Sequence, residues 1–223
     1  MKSISIVLFA LPVLLVLGCG QVQPVQEAAE ADTAPVTDTE RDEAASRIEE
    51  EHRLYKTGYA DSVNQGLTED TYTGSARREV RELIGAAEIA VNYGSPGKRG
   101  RVLWNGLVSY DQVWVSGSHW ATAVTFSEDV LVEGTEVKAG TYAFFTIPGR
   151  ETWTLILNEN FDQHLAEDYD ESLDVVRVEV MPEELPSVTE RLTYEVSETG
   201  LGEGVISMMW DRVKVSMPFT VRE

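Results

Sequence analysis

The sequence predicts an all-β fold, an antiparallel β-sandwich of about ten short strands. Three observations carry that expectation: apolar and polar residues alternate at period two, turn dipeptides punctuate the alternation, and no helical pattern intervenes. The alternation is clearest late in the chain. Val176, Val178 and Val180 alternate with Arg177 and Glu179, and Leu192, Tyr194 and Val196 alternate with Arg191, Thr193 and Glu195. Val213, Val215, Met217, Phe219 and Val221 alternate with Arg212, Lys214, Ser216 and Thr220. Successive side chains of a strand point to opposite faces, so each stretch offers one face to a core. Further strands read at 87–93, 112–116, 121–126, 129–133, 141–147, 152–158 and 204–210. Glu133-Gly134, Ala139-Gly140, Pro148-Gly149 and Asp211-Arg212 are the turn signals between them. Pro218, which has no N–H to donate, puts the last strand at an edge or on a bulge. The stretch 76–84 (ARREVRELI) has helical composition and strand length, and its state stays open.

Composition bounds the rest. The chain has 223 residues, 43% of them hydrophobic, enough for a core and against wholesale disorder. It carries 38 acidic against 18 basic residues, a formal net charge of −20. Nucleic acid is thereby excluded as a partner, because phosphate binding needs clustered Lys and Arg. The single cysteine excludes an intrachain disulfide and a multi-cysteine zinc site.

That cysteine reads as the end of an N-terminal export signal. Lys2 precedes an apolar run from Ile4 to Leu17, too short to span a bilayer, and Val16-Leu17-Gly18-Cys19 resembles a bacterial lipobox. Residues 1–18 are thus expected to be a lipoprotein signal peptide and Cys19 the lipidated residue, carrying acyl chains such as palmitate. The expected partner is the membrane, and the expected location is the bacterial cell envelope, facing the periplasm or the exterior. Residues 19–48, rich in Glu, Ala, Thr, Gln and Pro, read as a flexible acidic linker. Residues 49–75 read as a helical or irregular lead-in, and 76–223 as the sandwich domain.

The charge is unevenly spread. Residues 85–126 alone escape the acidity, holding Lys98, Arg99 and Arg101 against Glu88 and Asp111. The same stretch holds Trp104, Trp114, Trp120, His119 and several glycines, which marks it as functional loop on a rigid scaffold. Two strings there, YGSPGKRGRVLWNGLVSYDQVWVSGSHWATAVTF and VEGTEVKAGTYAFFTIPGRETWTLILN, resemble an uncharacterised bacterial family, domain of unknown function 2911. The likeness runs from about Ala76 to Val221. It implies an exported β-sandwich domain, often lipid-anchored, and no particular reaction. After the Trp matching Trp114 the family commonly has Arg, then Thr-Gly-Ala-Asn-Glu-Ala-Thr. Here the Arg, Asn and Glu positions hold Val115, His119 and Trp120.

The ligand-binding candidates are Lys98, Arg99, Arg101, Tyr110, Trp114, His119 and Trp120. The arginines offer a fork for a carboxylate or phosphate, and the aromatic residues a platform for a sugar or ring. Each has a plain alternative: the cations pair with surplus Asp and Glu, and the tryptophans fill the core. His119 is the one candidate for proton transfer, since imidazole titrates near neutral pH. Neither G-x-S-x-G nor H-E-x-x-H accompanies it. Metal ligation would need His119, Asp111 and His164 to meet through folding. The acidic loop 158–172 lacks the EF-hand pattern and reads as solvated. No cofactor is expected. The leading expectation is a binding or interaction module for a small anionic or carbohydrate-like ligand. A hydrolase-type enzyme using His119 as base and a purely structural envelope part are the alternatives.

Overall fold

Two antiparallel sheets face each other across one apolar core in the computed structural model, which describes residues 58–222. The six-stranded sheet contains β1 (Ala76–Ile84), β2 (Ala87–Ser95), β3 (Thr122–Phe126), β6 (Gly140–Ile147), β7 (Trp153–Asn158) and β8 (Asp174–Val180), in the order β1-β2-β3-β6-β7-β8. The other contains β4 (Val130–Val132), β5 (Thr135–Val137), β9 (Glu183–Gly200) and β10 (Glu203–Val221), in the order β5-β4-β10-β9. The expected all-β sandwich is what the chain forms. The expected signal peptide, Cys19 and the expected acidic linker lie outside the described residues.

The stretch left open is strand β1, paired with β2 from Ala76↔Ser95 to Ile84↔Ala87. Its helical composition is a weak preference, and a hairpin that buries Ala76 and Ile84 overrides it. Gly85 supplies the positive φ of 57° that this turn requires. The strand expected at 112–116 reduces to one bridge, Trp114↔Thr146, and the short β5 was not anticipated. Strands β9 and β10 are longer than the short strands expected.

β10 nevertheless turns where Asp211-Arg212 signals it. Ser207 Oγ lies 2.9 Å from Ser216 Oγ, and Val221 N donates to Gly202 O at 2.8 Å. Both pairs centre on residues 211–212, with Asp211 at φ 56°, so β10 doubles back into two arms. Pro218 lies past the end of β4, whose pairing with β10 covers only Thr220 and Val221.

Ile89, Val91, Phe126 and Leu155 of the larger sheet meet Ile206, Met208, Met217 and Phe219 of the smaller in the core. A second apolar cluster lies on the opposite face of the larger sheet, where Ala143, Phe145 and Ile156 pack with Val115 and Ala121. β6 is therefore buried on both faces, which is why it reads as a continuous apolar run rather than an alternation.

Residues 58–64 are helical, and the segment from there to Ser75 is locked to the sandwich by Arg191. This side chain is 1% exposed. Its Nε and Nη2 donate to Asp70 Oδ1 at 3.1 and 2.8 Å, Nη1 donates to Ser95 O at 2.9 Å and Gly74 O at 3.2 Å, and Nη2 also reaches Tyr72 O. Tyr59 and Tyr72 pack against the same guanidinium, their ring centres 5.4 and 5.1 Å from Cζ. Nearby, Arg78 donates to Asp61 at 2.6 Å, and Asn64 brackets the Arg191 backbone with two hydrogen bonds. Removing one partner of a buried ion pair costs roughly 3–5 kcal/mol, because the other charge stays buried. Arg191→Ala is expected to lower unfolding stability by about that amount in urea titrations, with Arg191→Lys recovering only part of it, since an ammonium cannot supply five N–H donors.

Candidate functional site

The long connection from β2 to β3, residues 96–121, leaves the sheet, pairs with β9 and returns. Leu192 N donates to Pro96 O at 3.0 Å, and Lys98 N donates to Glu190 O at 2.7 Å. A tight turn follows, with Arg99 at φ 47° and Gly100 at φ 68°, closed by Arg101 N donating to Lys98 O at 3.0 Å. The chain then dives into the end of the sandwich at Leu103, Trp104 and Val108.

Trp104 is the hub of a four-tryptophan cluster. Its ring centre lies 4.8 Å from Trp153, 6.0 Å from Trp210 and 6.1 Å from Trp114, edge-on in each case, while Trp114 stacks on Trp210 at 5.9 Å. Such pairs contribute about 0.5–1.5 kcal/mol beyond the area they bury. Trp104 and Trp114 therefore take the core-filling role, Trp104 lying outside the cavity described below.

The loop returns through Ser116 and His119, both in the left-handed region at φ 54° and 65°. Ser116 is held from several sides: its carbonyl accepts from Tyr194 Oη at 2.8 Å and Thr122 Oγ1 at 2.9 Å, and its Oγ donates to Thr146 Oγ1 at 3.0 Å. Burial pushes the Tyr194 phenol far above the ordinary tyrosine range, so it remains a neutral donor. The loop 158–172 packs alongside. Leu165 N donates to His119 O at 2.7 Å, Ala121 N donates to Gln163 O at 3.0 Å, and Trp120 bridges to His164.

Loop 96–121, with Leu165 of the second loop and Trp210 of β10, borders an open cavity of about 360 Å³. Arg99, Arg101 and His119 give it a basic side, and Leu107, Val108, Leu165, Trp114 and Trp210 give it an apolar one. Of the seven ligand candidates, Arg99, Arg101, Trp114 and His119 come together here. Arg101 donates from Nε to Lys98 O at 3.1 Å and from Nη2 to Gly97 O, and neither Arg99 nor Arg101 makes an ion pair among the described residues. Lys98 points away to Asp211, 2.7 Å distant. Tyr110 lies beneath Arg150, its ring centre 5.2 Å from the guanidinium, and Trp120 sits outside, half-exposed against His164.

His119 lies on the surface at the cavity wall, its ring centre 6.3 Å from that of His164, with no hydrogen bond to a carboxylate or hydroxyl among the described residues. A general base needs such an orienting partner. Asp111 stays apart on the Pro148 turn, donating from N to Pro148 O at 2.8 Å. Among the described residues no group of three or more His, Cys, Asp or Glu is placed to hold a metal ion.

Trp210 and Leu165 line the cavity without having been singled out in the sequence. Trp210 reads there as an ordinary strand residue, and Leu165 stands in an acidic loop, where its apolar side chain is the one signal. Arg99, His119 and Leu165 are three of the eight non-glycine residues with positive φ among those described, and all three line this one cavity. Residues in this region cost on the order of 1–3 kcal/mol each and concentrate at sites of function.

The geometry is that of a β-sandwich with a ligand-sized cavity at one end, built from its longest loops. A family model described as "Protein of unknown function (DUF2911)" matches residues 75–219, and the chain belongs to that family. No curated protein and no solved structure matches it. Val115 and His119, two of the three positions where the chain departs from the family pattern noted above, line the cavity, and Trp120 does not.

The two roles of tryptophan are separable by substitution. Trp104→Ala is expected to cost about 3–5 kcal/mol of unfolding stability, whereas Trp120→Ala should stay within about 0.5 kcal/mol of wild type. Urea or thermal unfolding of both variants measures the difference.

Proposed function

We propose that the protein is a lipid-anchored cell-envelope binding module that holds a small organic anion in the cavity between loops 96–121 and 158–172. One observation carries the reading: in a chain of net charge −20, Arg99 and Arg101 line a cavity and neither guanidinium makes an ion pair among the described residues. Ligand pockets run to about 300–1,000 Å³, with apolar walls and a few convergent polar groups, and this cavity fits that description. A purely structural part has no need of such a cavity. The hydrolase alternative asks for a group that orients His119, and the observed surroundings of His119 favour binding over catalysis.

The anchor belongs to the same proposal. Cys19 carries the acyl chains, the acidic linker separates the domain from the bilayer, and the domain faces the periplasm or the exterior. No helix among the described residues is long and apolar enough to cross a membrane. Each buried CH₂ of an acyl chain contributes about 0.8 kcal/mol, so more than one chain makes a stable tether.

Two experiments test the reading. Thermal-shift screening of divalent metals, sugars and organic anions should show organic anions raising the melting temperature of wild type but not of Arg101→Ala. A ligand that binds only the native state stabilises it by about 2.7 kcal/mol at one hundred times its Kd. No shift across the panel, or one indifferent to Arg101→Ala, overturns the site. For the anchor, Cys19→Ser is expected to move the protein from the membrane to the soluble fraction and abolish labelling by a palmitate analogue.

A further inference from the structure

We infer that the ligand of this cavity is amphiphilic, a single carboxylate on an apolar body, rather than a sugar or a multiply charged metabolite; this rests on the cavity being a ligand site at all. The basic end is small, and one of its two cations is fixed. Arg101 is oriented by its bonds to the carbonyls of Gly97 and Lys98, which occupy Nε and Nη2 and leave Nη1 without a bond among the described residues. Arg99 supplies the second cation from the neighbouring turn.

Further negative charge on the ligand is opposed on the spot. Arg99 also borders a second hollow lined by Glu69, Asp70 and Glu190, and its backbone N donates to a Glu190 carboxylate oxygen. Carboxylates thus stand behind Arg99, with Glu69 and Glu190 beside the Asp70 that Arg191 holds. One anionic group is matched by the two arginines, while each additional one meets this acidic background.

The remainder of the cavity offers a polyol few hydrogen-bonding side chains. Its lining contains no Asp, Glu, Asn or Gln, and its side-chain hydroxyls are those of two serines, Ser75 and Ser118. Tyr110 and Trp120, the aromatic residues that would widen a sugar platform, lie elsewhere, and Trp114 has one face against Trp210. A sugar hydroxyl set against the apolar wall would lose its water without a partner. The mouth instead holds Leu107 and Leu165 in solvent, 49% and 39% exposed, where an apolar ligand would cover them.

Isothermal titration of the full chain with four probes tests the assignment: decanoate below its micellar concentration, decanol, gluconate and glucose. Decanoate should bind, decanol at least about tenfold more weakly, and gluconate and glucose not measurably. Arg99→Ala and Arg101→Ala should each weaken decanoate by roughly 10- to 100-fold, the range for a lost charged hydrogen bond. Leu107→Ser, a change at an exposed position, should weaken it with the unliganded melting temperature unchanged. Gluconate or glucose binding as tightly as decanoate and depending on Arg101 keeps the site but overturns this ligand class. Decanoate binding indifferent to both arginines is surfactant adsorption and overturns it too. If none of the four binds while another panel compound raises the melting temperature through Arg101, only the class fails. If nothing in the panel does, the site fails with it.

Discussion

One buried cation organises the molecule. Arg191, itself on β9, directs all five N–H donors at partners from two other parts of the chain: Asp70, Tyr72 and Gly74 of the lead-in, and Ser95 at the end of β2. Dehydrating a guanidinium is expensive, and only this complete set of acceptors makes the burial tolerable. The arrangement joins the two sheets at one corner. Gly97 bridges to Arg191 and is pressed so close to Asp70 that an added Cβ would lie 2.1 Å from its Oδ2, so the residue must be glycine. The turn carrying Arg99 and Arg101 starts from this point. The cavity's basic wall therefore takes its position from Arg191, although Arg191 does not line the cavity.

The tryptophan cluster plays the complementary part. A sandwich must be closed at its ends, and here loop 96–121 closes one end by inserting Trp104 among Trp114, Trp153 and Trp210. Rings this large fill the gap between diverging sheets without regular secondary structure. Their rigidity lets the loop hold non-glycine residues at positive φ, because the surrounding packing and the bonds to Ser116 over-determine the backbone. The anchoring residues and the cavity residues thus alternate along one loop: Trp104 inward, Leu107 outward, Trp114 shared, His119 outward.

How much of this was legible follows from how local each signal is. Period-two alternation is local, so most strands could be read, as could the turn at Asp211-Arg212. The continuous burial of β6 depends on a second layer formed by distant loops, and the strand state of 76–84 depends on pairing with β2. Arg191 shows the limit most clearly. It falls on the polar side of an alternating strand and reads as solvent-facing, because its partner Asp70 is 121 positions away. The basic run at 98–101 was visible as a cluster, but not its division: Lys98 is claimed by Asp211, 113 positions on, and Arg99 and Arg101 are left. Leu165 and Trp210 reach the cavity only through loop packing, which leaves no periodic trace.

The net charge of −20 bears on the cavity as well as on partners at a distance. An acidic protein raises the energy of any anion that approaches, and salt screens that repulsion over about 10 Å at ordinary ionic strength. Beyond that range the surface charge matters little; inside the cavity what counts is the balance between two arginines and the carboxylates behind Arg99. Favourable binding there is local and short-range, and each unit of charge beyond the first erodes it. The apolar wall adds a term that grows with buried area and is indifferent to salt. A ligand with one charge and a sizeable apolar body gains from both terms. A small polyanion forfeits part of the first and gains nothing from the second, so the acidity of the surroundings acts as a filter on the ligand's charge.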